Sequence, residues 1–129
     1  MIFLCIHMQQ INSYPFINPQ TFSVLKKNTG GNKSLLTELY QSFIDDSNEL
    51  IAEIENAILQ KQFDEYYSAV HTLKGLSGTI GCTRMFEVLK LMDTLNKNDN
   101  FSDSIAHLPQ LKTVFSDTTQ VIKQDVFND

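Results

Sequence analysis

His71, Lys74, Gly75 and Gly78 fall within one short run of the chain. An imidazole is the side chain best suited to serve as a nucleophile or proton carrier near neutral pH. Lys74 follows it by three, a spacing that makes the two neighbours on a helix surface, and an ammonium there lowers the ring's affinity for a proton. Glycine inside a helix costs about 1 kcal/mol relative to alanine, so the pair asks for a reason. Close packing is the usual one. On the same face as the histidine, however, glycines clear space for another protein's backbone.

The flanking sequence predicts the helix that carries this run. At about 100° per residue from Asp64 to Ile80, the residues Tyr66, Ala69, Val70, Leu73, Leu76 and Ile80, with Phe63 just before them, share one arc. His71 lies opposite that arc, with Gly78 roughly 20° to one side, Gly75 roughly 40° to the other, and Lys74 roughly 60° away. His71 is therefore expected to face solvent. Asp64, Tyr67 and Ser68 extend its face by a turn or two and are candidate docking contacts. Ser77 falls on the buried arc, where its hydroxyl can bond the Leu73 carbonyl. Gly81 supplies the left-handed position that ends the helix.

Four further segments complete the pattern. Asn18 and Pro19 cap and start a short helix that Thr29, Gly30 and Gly31 end. From Lys33 to about Gln60 the apolar residues recur at three and four, from Leu36 to Ile58, which predicts one long amphipathic helix. Another runs from about Thr83 to Asn96 with Met85, Leu89, Met92 and Leu95 inward. Residues 97–100 read as a loop, and the last helix starts close to Pro109, burying Leu111, Val114, Phe115, Val121 and Ile122. The expected fold is all-α: an antiparallel up-down four-helix bundle with an additional short N-terminal helix. Residues 18–129 would form this single domain, with 1–17 as an N-terminal tail. The apolar opening from Met1 to Ile6 stops at His7 and is far shorter than a membrane span, so it is expected to be a tail or a strand-like cover.

The run from Val70 to Gly81, with His71, Lys74, Gly75 and Gly81 at its key positions, closely resembles the signature of histidine-containing phosphotransfer (HPt) domains. The likeness extends over roughly Pro19 to Phe127. It implies a phosphoryl relay in which His71 takes the group from the phospho-aspartate of one receiver domain and passes it to the aspartate of another. Lys74 would offset the phosphoryl charge. The implied partners are response-regulator receiver domains and a sensor or hybrid histidine kinase. The receiver would bring Mg²⁺, and this chain would bind no cofactor or metal of its own. Leu76 and Cys82 stand where the family often has smaller residues, and both are expected to pack rather than react. The Gly78-Thr79-Ile80-Gly81 stretch also resembles the phosphoacceptor domain of chemotaxis-type histidine kinases, whose donor is an ATP-bound kinase domain.

Composition narrows the alternatives. A net charge of -5 with no clustered basic face argues against nucleic acid. Two distant cysteines, Cys5 and Cys82, make neither a metal motif nor a dense disulfide framework, which suits a reducing cytoplasm. The chain is expected to be a monomer that does not insert in membranes. No glycine-rich nucleotide loop or α/β segment is visible, so ATP-dependent autophosphorylation is not expected and the chain reads as a phosphocarrier. Two readings compete. A bundle that docks receivers without carrying phosphate has no need of the ring at position 71. A metal- or histidine-dependent hydrolase would want a second acid or base converging on His71, and the sequence shows none. His7 and His107 lack ligand-like partners at helical spacing.

Overall fold

The computed structural model describes residues 10–128. Among them every regular element is helical: α1 (Pro19–Asn28), α2 (Lys33–Leu59), α3 (Phe63–Ile80), α4 (Thr83–Lys97), α5 (Phe101–Ala106) and α6 (Leu108–Ile122), which runs on into a π-helical turn, Lys123–Phe127. The expected starts and stops are met by local chemistry. The Asn18 side chain accepts from the backbone N–H of Gln20 and of Thr21 at 2.9 and 3.1 Å. Asn32 caps α2 in the same way, through Leu35 N–H at 3.1 Å. Such caps satisfy amide donors that the first turn of a helix leaves without partners.

Gly81 ends α3 at φ 79° and does more than terminate. Its carbonyl accepts from the Asn18 N–H at 2.7 Å, and a Cβ on it would lie 2.6 Å from Thr21 Cβ. The turn and the seating of α1 thus depend on the same missing methyl. Gly81→Ala is expected to cost about 2 kcal/mol, from a left-handed backbone that alanine disfavours and from the displaced Thr21. A urea melt should show the midpoint falling, and an unchanged midpoint would refute the role assigned to this contact.

The long helices bury one shared core. α2 packs along α3, α3 along α4, and α6 closes against α4 and α2. Tyr40, Ile54, Tyr66, Leu73, Met85 and Met92 are fully enclosed, so the methionines are core filler. Residues 10–17 also lie on this core: Ile11 is buried, and Arg84 donates through Nε to the Tyr14 carbonyl at 2.7 Å while its guanidinium sits 3.8 Å above the Phe16 ring. The expectation for Met1 to Ile6 and the residue His7 lie outside the described residues.

Three details differ from the periodicity reading. The stretch after Lys97 is no simple connection, because α5 intervenes before the last helix. Tertiary contacts make it: Phe101 stacks on Phe63 at 5.1 Å, and the Ser104 and Tyr66 hydroxyls share a 2.6 Å hydrogen bond. Second, Phe63 is 39% exposed, since it stands at the first position of α3. Third, Leu76, Leu95, Phe115 and Val121 are half-buried rather than enclosed.

Candidate functional site

His71 projects from the middle of α3 with 58% of its side chain exposed, as its place opposite the apolar arc requires. Its Nδ1 lies 3.4 Å from Oδ1 of Asp93 on α4, long for a hydrogen bond but directed at one partner. Lys74, a turn further along α3, donates to the other carboxylate oxygen of Asp93 at 2.7 Å. Lys97, four residues beyond Asp93 on α4, reaches back to that same oxygen at 3.2 Å. One carboxylate therefore gathers an imidazole and two ammonium groups.

Asp93 itself is buried, with 2% of its side chain exposed. Burial by itself would push its carboxyl up, but hydrogen bonds from Lys74 and Lys97, the Lys74 charge and His71 outweigh that penalty and hold it below its usual value. It remains an anion at neutral pH. An anion facing Nδ1 favours the ring tautomer that carries its proton there, which leaves the Nε2 lone pair free.

Asp93 corrects the reading that no second acid converges on His71. Its signal was present in the sequence. It follows Leu89 by four and Met92 by one, so it belongs to the inner stripe of α4, where a charged residue demands a partner on the facing helix. Lys74 is likewise more than a lone surface cation, since only 20% of its side chain is exposed and its ammonium is already engaged.

The glycines divide in role. A Cβ on Gly75 would meet nothing, so this position is open clearance beside the ring. A Cβ on Gly78 would lie 3.4 Å from the Phe86 ring, so at Gly78 the usual packing reason applies as well. Asp64 and Ser68 are exposed and Tyr67 is half-buried. Ser68 lines a shallow groove between α2 and α3 with Leu50, Glu53, Asn56, Glu65 and Thr72. Ser77 donates to the Leu73 carbonyl at 2.9 Å and is buried. Burial pushes the Cys82 thiol up to about 12, so it stays protonated and packs. His107 is buried far along the chain from the site, with Nδ1 3.3 Å from Gln110 Oε1. No helix among the described residues is long and apolar enough to cross a membrane, and no three His, Cys, Asp or Glu side chains among them group as a metal cluster.

An exposed imidazole on a long helix with a lysine one turn on is the arrangement the sequence resemblance implies, and the family model for the Hpt domain matches residues 38–120. The chain belongs to the Hpt domain family. Hpt domains carry phosphoryl groups rather than catalysing turnover. In fold this Hpt chain is similar to the crystal structure of histidine-containing phosphotransfer protein B (HptB) from Pseudomonas aeruginosa PAO1. The TM-score is 0.79 at 16% identity, covering 89% of this chain and 97% of that one. In sequence it is similar to the chemotaxis protein CheA of Salmonella typhimurium, 32% identical over 68 residues, which covers 46% of this chain. The aligned stretch is 10% of the CheA length.

Proposed function

We propose that His71 is the phosphoacceptor, carrying a phosphoryl group between receiver-domain aspartates in a two-component phosphorelay. The observation that carries the reading is the 58% exposed ring whose Nδ1 faces the buried Asp93. Nε2 attacks the phosphorus of a receiver's aspartyl phosphate; the nitrogen–phosphorus bond forms as the phosphorus–oxygen bond breaks, and the receiver's carboxylate leaves with the electron pair. The ring gains positive charge in that step, and its Nδ1 proton stays directed at Asp93, whose anion stabilises it. The long 3.4 Å contact suits a site that tightens as this charge develops. Transfer to a second receiver runs the same step in reverse.

Lys74 supplies positive charge beside the phosphoryl group while its bond to Asp93 keeps it in place. Mg²⁺ and most of the remaining electrostatics come with the receiver, and neither ATP chemistry nor a cofactor is assigned to this chain. The order of packing, α2 on α3, α3 on α4, and α6 against α4 and α2, supports an antiparallel up-down four-helix bundle with α1 across one end. The carrier domain would hold residues 18–129 with Ile11 and Ile17 of the preceding segment packed on it, and would be monomeric and cytoplasmic. Gly75, Gly78, Asp64, Tyr67 and Ser68 form the docking face in this reading.

The test is incubation with a phosphorylated receiver in Mg²⁺. Acid-labile, base-stable phosphate should appear on this chain, map to His71 and chase onto a second receiver; failure to take up label would sink the proposal. The CheA match favours one second reading, an acceptor domain charged by a kinase domain. It predicts label from an ATP-loaded kinase and none from receivers.

Clearance at Gly75 gives a separate prediction. Because a Cβ there meets nothing, Gly75→Ala should raise stability by about 0.5–1 kcal/mol through helix propensity. Gly75→Gln should fold equally well yet slow transfer from a receiver at least about tenfold, by intruding on the docked backbone. Thermal melts and stopped-time transfer assays read the two effects independently.

A further inference from the structure

Lys97 lies outside the His71 run, on the last turn of α4. A lysine there needs no special role, since the negative end of a helix favours a cation. Its ammonium, however, does not extend past the helix end. It turns back one turn to Asp93 Oδ2 at 3.2 Å, the oxygen that already accepts from Lys74 at 2.7 Å. Asp93 is thereby bracketed: His71 and Lys74 reach it from α3, and Lys97 from its own helix.

The charges of this group matter for what it can receive. A single anion between two cations, with a neutral imidazole, leaves one positive charge in excess. Lys74, largely enclosed and bonded at 2.7 Å, is the counter-ion of the buried carboxylate. Lys97, 54% exposed and more loosely held, is the surplus. A phosphoryl group arriving on His71 brings negative charge to a site that would be neutral without Lys97.

We propose that Lys97 is a positioning residue of the phosphoacceptor site, holding Asp93 with Lys74 and giving the site the net positive charge that favours a bound phosphoryl group. The proposal rests on the reading of His71 as acceptor. It assigns Lys97 no contact with the reacting atoms. Its action runs through Asp93 and through the field at the ring.

The experiment compares the full chain with Lys97→Gln and Lys97→Arg. The carboxyl of Asp93 is titrated by NMR, and phosphorylation by phosphoramidate is timed, a small donor that removes partner docking from the measurement. Loss of a nearby cation should move the Asp93 midpoint upward. Uptake of phosphate should slow about threefold in Lys97→Gln, and Lys97→Arg should restore both values. A merely structural lysine would move the melting curve and leave the rate of uptake alone. Uptake or the Asp93 midpoint unchanged in Lys97→Gln, or both altered equally in Lys97→Arg, would overturn the proposal. If the unaltered chain takes no phosphate on His71, the acceptor reading falls, while the Asp93 midpoint still decides whether Lys97 holds the carboxylate.

Discussion

Replacement of His71 by Gln is expected to lower phosphoryl uptake at least about a thousandfold, to the background of the assay, because no other nucleophile shares its position. The amide nitrogen of Gln has its lone pair delocalised into the carbonyl, and the group is too weak a nucleophile to attack phosphorus. The fold should not suffer. His71 is 58% exposed and belongs to no part of the core, so the change in stability should stay within about 0.5 kcal/mol. This separation makes the variant decisive. Receiver-dependent labelling and a urea melt on the same preparation check it, and label persisting in a folded His71→Gln chain would place the acceptor elsewhere. Binding to a receiver should survive while transfer is lost, whereas a docking bundle whose output never depended on the ring would keep both.

The second large effect is expected at Asp93. Asp93→Ala removes the one anion that holds Lys74, Lys97 and the Nδ1 side of His71 together. Breaking a fully buried pair costs roughly 3–5 kcal/mol, but Lys74 can turn to water and Lys97 is half-exposed, so about 2 kcal/mol is expected here. Transfer should slow about tenfold or more, since the ring loses both its orientation and the anion that stabilises its developing charge. The carboxyl's pKa is held below its usual value in the folded chain. The unfolded state therefore binds a proton more readily than the folded state, and acid favours unfolding. The stabilisation by Asp93 should be complete above about pH 4–5 and should fade as the pH drops through the folded value. Urea melts of both chains from neutral pH downward should show their difference constant at first and then shrinking. A difference that grew toward acid would contradict the assignment of Asp93 as an anion in the folded state.

These two predictions rest on features that were unequally visible in the amino-acid order. The helix bearing His71 could be read from its period alone: Tyr66, Ala69, Val70, Leu73 and Ile80 share an arc, and the residue opposite must face water. Gly81 announced its end, and Asn18 and Pro109 announced the starts of others, because caps and prolines act within a single turn. The α5 helix has its own cap, the Asn100 side chain accepting from Asp103 N–H, but one cap over six residues shows no period. Its existence depends on Phe63 and Tyr66 offering a ring and a hydroxyl across space. Gly78 shows the same limit, since the Phe86 ring packed beside it comes from another helix.

The sequence by itself determined that His71 is exposed, because helical periodicity converts spacing directly into direction. It also placed Lys74 and Gly75 beside the ring, and through the resemblance it pointed to phosphotransfer. Only the tertiary structure decided what stands behind the imidazole. Asp93 is twenty-two residues from His71, and its 3.4 Å approach exists because α3 and α4 pack face to face. No local rule fixes which residue of one helix meets which residue of its neighbour. That register follows from the packing of the whole core, and it turns a lone exposed histidine with a nearby lysine into an oriented ring, a buried anion and two cations held at one carboxylate.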